Sequence, residues 1–211
     1  MPYLLRVELP DVPGSLGRVA TAIGEAGGDI EAIEIVEHRH DGTAVDDVLL
    51  ETAPGVMPDS IVSACNQLDG VQVLWVSRYG AGGNLFLDLE AVEAMTQDPA
   101  SALDQLVELL PMTFRSDWAV RVQRHDGGLK ILHATSAAPD IADAQAGWFP
   151  IDRAKRLEVP DEWGSVVAAA RVESEDELVA FGRRGGPEVL DSELARLHHL
   201  TALAVSIART R

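Results

Sequence analysis

The strongest constraint on this chain is a change of rhythm that occurs twice within its first 79 residues. From Tyr3 to Leu9 the residues alternate, with Leu5, Val7 and Leu9 on one face of an extended segment and Arg6 and Glu8 on the other. A period of two marks a half-buried strand. Pro10-Asp11-Val12-Pro13-Gly14 breaks it, and from Ser15 the apolar residues Leu16, Val19, Ala20, Ile23 and Ala26 recur at helical spacing until Gly27-Gly28. Ile30, Ile33, Ile35 and Val36 predict a second strand running to His38. Asp41-Gly42 is a hairpin signal, and Val45–Leu50 is the returning strand. After Pro54-Gly55 a helix from about Pro58 to Leu68 turns Ile61, Val62, Cys65 and Leu68 inward, and Val71–Val76 closes the set. The order β-α-β-β-α-β is the split unit in which two helices cover one face of a four-stranded antiparallel sheet.

Charge then removes whole classes of partner. Across 211 residues, 34 Asp and Glu stand against 17 Lys and Arg, a formal net charge of −17. Residues 1–79 hold 4 basic and 13 acidic side chains and residues 80–211 hold 13 and 21, so neither half hides a basic domain. Duplex nucleic acid and anionic membranes are poor partners for such a surface, because each phosphate contact needs a cation. One cysteine, Cys65, permits neither an intramolecular disulfide nor a cysteine-based metal cluster. There is no apolar run of 18 residues, and Met1-Pro2-Tyr3 leads straight into the first strand without a signal peptide. The expectation is a cytoplasmic protein.

Gly80-Ala81-Gly82-Gly83-Asn84 lacks apolar periodicity and predicts a linker over 80–84 between domains at 1–79 and 85–211. Beyond it, Leu85–Met95 reads as a helix. A second begins at Asp98-Pro99, turns Leu103, Leu106, Val107 and Leu110 to one side and ends near Pro111. Trp118–Val122 alternates, Asp126-Gly127-Gly128 turns the chain, and Leu129–Thr135 returns. Residues 136–164 read as irregular. Val166–Val172 and Leu178–Gly182 form a hairpin, and Asp191 to about Arg209 is a long helix. The whole predicts an α+β fold, with an antiparallel sheet at the centre of the second domain.

Asp11-Val12-Pro13-Gly14-Ser15-Leu16, followed a dozen residues on by Gly27-Gly28-Asp29-Ile30, resembles an ACT domain over residues 3–79. That resemblance implies a ferredoxin-like fold, pairing of sheets or helices between copies, and an amino acid held at the interface, usually to control an attached enzyme or transcription unit. It places the ligand at Asp11, Val12, Pro13, Gly14, Ser15, Leu16, Asp29 and Ile30. Physical chemistry supports such a cradle. The first amides of a helix lack intrahelical partners and attract a carboxylate, and glycine lets a ligand approach the backbone. Asp11 could take the ammonium, with Asp29 near it. The family often has Asn where this chain has Asp11 and Asp29, so two carboxylates favour a basic ligand or none. In the alternative reading Asp11 caps the turn, and the sheet serves only for dimerisation.

The second domain is similar to a small GAF-type domain over roughly residues 99–209. The likeness rests on the apolar strand at 166–172, the R-x-E-x-E-x-E-L-V-A-F-G hairpin from Arg171, and Leu190, Leu194 and the final helix. It implies small-molecule sensing or pairing through helices. No loop cysteine suits bilin attachment, and no residue set marks a cyclic-nucleotide site. Trp118, His133, Trp148, Trp163 and Arg171 are candidate pocket residues, mostly aromatic with a few polar groups.

The remaining constellations point away from catalysis. His38-x-His40 near Asp41, Asp46 and Asp47 could chelate a metal, but a specific site needs three or four ligands with supporting hydrogen bonds, and a solvated hairpin tip explains them. His198 and His199 diverge on adjacent helix positions. No G-x-S-x-G occurs, no G-K-[ST] follows Gly80, and Cys65 lies on a buried helix face. The sequence therefore predicts no metal, no cofactor and no catalytic residues. It predicts a regulatory homodimer that senses a small molecule, an amino acid by resemblance, and signals through a protein partner. The alternative is a ligand-free adaptor serving a separate enzyme or transcription factor.

Overall fold

The computed structural model describes residues 2–78, 83–126, 128–141 and 147–210. The chain divides into two compact units, Met1–Ala81 and Gly82–Arg211. Residues 80–82 of the expected linker lie outside the described residues, as does Gly127 of the expected turn.

The first unit runs β1 (Pro2–Pro10), α1 (Ser15–Glu25), β2 (Gly28–His38), β3 (Thr43–Thr52), α2 (Pro58–Asn66) and β4 (Gln72–Arg78). Its antiparallel sheet has the order β2-β3-β1-β4, the arrangement expected of the β-α-β-β-α-β pattern. Alternation turns Leu5, Val7, Leu9, Val48 and Leu50 toward the helices, where they meet Val19, Ile23, Ile61 and Cys65 in one core. Burial raises the Cys65 thiol above its ordinary range, which suits an inert core residue.

The opposite face of this sheet departs from the simple polar-out expectation. Arg6 is 2% exposed, as is Asp47 opposite it on β3. Arg6 Nε donates to Asp47 Oδ1 at 2.7 Å and Nη2 to Oδ2 at 2.9 Å, a two-pronged fork. Leu4 and Val45 are buried as well. A guanidinium can be buried because the carboxylate meets its planar donor edge.

The second unit runs α3 (Gly83–Gln97), α4 (Ala102–Thr113), β5 (Trp118–His125), β6 (Gly128–Ala134), β7 (Ala154–Leu157), β8 (Ser165–Arg171), β9 (Glu177–Arg184) and α5 (Asp191–Ala208). Its five strands follow the order β6-β5-β9-β8-β7, all antiparallel. The two sheet faces feed separate cores. Ala119, Ala168, Ala170, Val179 and Phe181 pack with Leu106, Leu110, Leu197 and Leu200 of the helices. Trp118, Val120, Ala169, Leu178 and Ala180 pack with Trp148, Phe149 and Ile151 of the crossover. Arg183, buried, joins elements across the first core. It donates to Phe114 O and Glu193 Oε1, both at 2.8 Å, while Glu193 Oε2 accepts from Leu190 N–H to start α5.

Three details correct the sequence reading. Gly83 and Asn84 belong to α3 rather than to a linker. α4 continues past Pro111 to Thr113, since a proline in the last turn removes only one hydrogen bond and its fixed φ suits a helix. Residues 154–157, read as irregular, form the edge strand β7, whose Ala-Lys-Arg-Leu sequence buries fully only Leu157.

Candidate functional site

Gly14 sets the geometry of the N-terminal site. It precedes α1 at φ +94°, in the left-handed region open chiefly to glycine, and has no side chain with which to cap the helix. Ser15 N–H donates to Val12 O and Arg18 N–H to Gly14 O. The intervening first-turn amides face the entry of the helix, with no side-chain cap from Gly14. Around this turn lies a cleft of about 320 Å³ lined by Leu9 to Leu16 with Ile35, Ala44 and Asp46. Its mouth is apolar: Val12 is 57% and Ile35 51% exposed.

All six residues Asp11, Val12, Pro13, Gly14, Ser15 and Leu16 line this cleft. Asp29 and Ile30 do not. They pair with Glu51 and Leu50, while the cleft end of the sheet pairs Leu9 with Ala44 and His38 with Ala44. The reason is topological. α1 carries the chain from the cleft to the other end of the sheet, and Asp29 follows directly after its C-terminus, so within one chain it starts β2 at the far end.

Asp11 neither caps the turn nor stands free. Its Oδ2 lies 2.8 Å from His38 Nδ1 across the hairpin, and the carboxylate accepts there, so Nδ1 carries the proton. Both side chains are largely exposed, and the pair contributes little stability.

One deeply buried polar group in the cleft, Asp46, lies outside the expected ligand set. Asp46 pairs with Val7 on β1 and Ile35 on β2, which turns its side chain to the helix-covered face. It is 2% exposed, and Oδ1 has no hydrogen-bond partner. Ser15, also 2% exposed, has an Oγ without a partner. Two orphaned polar atoms in one cleft are a costly arrangement, about 1–3 kcal/mol for each neutral group and more for a charge. The signal in the sequence was the Asp46-Asp47 pair in an otherwise apolar strand. Which aspartate faces the helices depends on register.

Burial pushes the Asp46 carboxyl above its ordinary 3.8; the Asp11 charge and, less, Asp47 add to this, and His38 opposes it. The folded state therefore holds this proton more tightly than the unfolded chain. The cost of ionising Asp46 is absent well below pH 3.8 and grows as pH rises toward its raised value. Asp46→Ala is expected to raise Tm at neutral pH, and the gain should shrink as pH falls toward and below 3.8 in calorimetric melts across that range. A gain independent of pH would show that the carboxyl charge is not the cause.

The aromatic candidates of the second unit separate into two sets. Trp118, Trp148 and Trp163 come together, with Trp163 edge-on to Trp118 at 5.7 Å and to Trp148 at 6.0 Å between ring centroids. His133 stands apart because its strand turns it toward α4, where Nε2 meets Glu108 Oε1 at 2.6 Å. Arg171 ends β8 at the opposite end from Ser165, and it pairs with Asp152 at 3.7 Å. Among the described residues no group of three or more His, Cys, Asp or Glu could hold a metal ion, and no helix is long and apolar enough to cross a membrane.

The family model for the ACT domain matches residues 3–56. Residues 3–56 are an ACT domain. The match ends after β3, and α2 and β4 complete the sheet of the ACT unit. NAD-dependent malic enzyme 1 of Bacillus subtilis (strain 168) is 64% identical over 33 residues. That stretch is 16% of this chain and 8% of the enzyme, so the chain spans only a small part of that curated relative. Among solved structures, the chain is similar to a GAF domain from Pseudomonas syringae pv. tomato, with TM-score 0.42 and 12% identity, covering 58% of this chain and 83% of that one. It is also similar to the GAF domain from Acinetobacter phosphoenolpyruvate-protein phosphotransferase, with TM-score 0.41 and 8% identity, covering 58% and 92%.

Proposed function

We propose that this protein is a non-enzymatic regulatory module whose ACT cleft takes an amino-acid-like effector in a homodimer. The observation that carries this reading is the pair of buried, unpartnered atoms, Asp46 Oδ1 and Ser15 Oγ, lining the cleft at the start of α1. The two ends of a zwitterion suit them. An ammonium would donate to Asp46, and a carboxylate would accept from Ser15 Oγ–H and the first-turn amides beside Gly14. A cleft of about 320 Å³ is at the small end for ligand sites, which run from about 300 to 1,000 Å³. With Asp11 close by, a basic side chain has a second carboxylate to meet. The exposed Val12 and Ile35 at the mouth, beside the edge strand β2, suit cover by a second copy. An effector that binds the dimer better than the monomer would then shift association, and association would sharpen binding by the same factor. A stretch of 33 residues of this chain is 64% identical to one in a malic enzyme, which fits a module that reports to a catalyst.

Thermal-shift and calorimetric titration with the twenty amino acids, arginine and lysine included, tests the proposal. At least one should stabilise the protein, by about 2.7 kcal/mol at a hundredfold excess over Kd. Asp46→Ala should abolish the response. So should Gly14→Ala, whose added Cβ meets nothing within 4 Å but which strains the turn at a φ of +94° that other residues rarely adopt. Sedimentation with and without that amino acid reads the linked dimer. If none of the twenty stabilises the protein at millimolar concentration, the sensing role fails and a scaffold remains.

A further inference from the structure

The second unit holds a cavity of about 430 Å³ lined by Trp118, Pro139, Glu162, Trp163, Ser165 and Arg184. Its construction begins with a glycine. Trp118 on β5 stands opposite Gly182 on β9. A Cβ at 182 would fall 2.1 Å from the indole ring and 2.5 Å from its Nε1. Gly182 lies within a regular strand, so what requires glycine there is the indole lying across the neighbouring backbone. Trp163 meets this ring edge-on and meets Trp148 edge-on as well, and Trp148 Nε1 donates to Glu158 O at 3.1 Å. The Trp118 N–H is different. It is buried and has no hydrogen-bond partner. An indole can only donate, and a buried donor without an acceptor is an expense a fold rarely keeps without use.

The other polar groups narrow what would answer it. Ser165 Oγ donates to Trp163 O at 2.9 Å, leaving its lone pairs to accept. Glu162 and Arg184, both exposed, set one negative and one positive charge at the mouth, so neither an anion nor a cation is favoured. We propose that this cavity binds a small, uncharged, planar heteroaromatic molecule that presents a carbonyl or ring-nitrogen acceptor to Trp118 Nε1. The ring packs against Trp163 and Pro139, and a donor on the same edge reaches Ser165 or Glu162. The site is separate from the ACT cleft and does not depend on it.

Nuclear magnetic resonance of the ¹⁵N-labelled full chain tests this directly, because the four tryptophans give four indole N–H signals. The probes are 2-pyridone and nicotinamide, with 2-piperidone as a non-aromatic lactam and benzoate as a charged ring. Either neutral aromatic probe should shift, saturably, the indole signal that Trp118→Phe deletes. Piperidone and benzoate should bind at least about tenfold more weakly, the loss expected when a stacking partner or a neutral acceptor is removed. Trp163→Leu, at a half-buried position, should weaken the neutral probes by about the same factor, and it serves should Trp118→Phe fail to fold. The proposal is overturned if neither probe moves that signal, if the remaining indoles respond equally in Trp118→Phe, if Trp163→Leu leaves affinity unchanged, or if benzoate binds as tightly.

Discussion

Asp47→Ala is expected to destabilise the first unit by about 3–5 kcal/mol, because it strips a buried guanidinium of its carboxylate fork. For a unit of this size that is roughly a 15–30 °C fall in Tm. Arg6 and Asp47 sit on adjacent strands in direct register, at 2.7 and 2.9 Å, with almost no exposure. Water cannot replace the lost acceptor. The Coulombic gain of the pair itself is not the source of the cost, since desolvation offsets much of it. The double variant Arg6→Met with Asp47→Leu removes both charges and should recover most of the loss. Calorimetry of the three proteins decides the matter. A single-variant loss below about 1 kcal/mol would place this pair with ordinary surface ion pairs.

Gly182→Ala should destabilise the second unit by about 3 kcal/mol, the upper end for overpacking a core. A methyl group at 182 falls within 2.1–2.5 Å of three Trp118 ring atoms. The indole cannot retreat without disturbing Trp163, which meets it edge-on. Chemical denaturation of Gly182→Ala, Trp118→Leu and the double variant gives the coupling between the two positions. The double variant should be more stable than the sum of the single losses implies. Additive losses would show that the glycine is kept for another reason.

Much of this architecture was legible from periodicity. The two changes from period two to helical spacing gave the first sheet and both its helices, and the D-x-P-G turn located the cleft. The parts that escaped depend on register and topology. Asp46 and Asp47 are neighbours in sequence with opposite fates, since one faces the helices and the other faces Arg6. Nothing local distinguishes them before strand pairing is fixed. Asp29 is drawn toward Asp11 by motif, although a helix of 11 residues separates the two ends of the sheet. His133 and Trp118 fall in one hairpin, yet His133 pairs with Arg121, three residues from Trp118, so alternation sends His133 toward Glu108 and Trp118 into the crossover core. The short strand β7 carries too little apolar alternation to announce itself.

The central place of β1 in its sheet also bears on how the chain is made. Both of its neighbours, β3 and β4, are encoded later. On the ribosome β1 emerges before either neighbour, and its second edge cannot be satisfied until Arg78 has been added. At roughly 5–20 residues per second that interval is several seconds. During synthesis Leu5, Val7 and Leu9 must wait through it without their final cover, and the nascent segment is a natural client for whatever shields apolar strands at the exit tunnel.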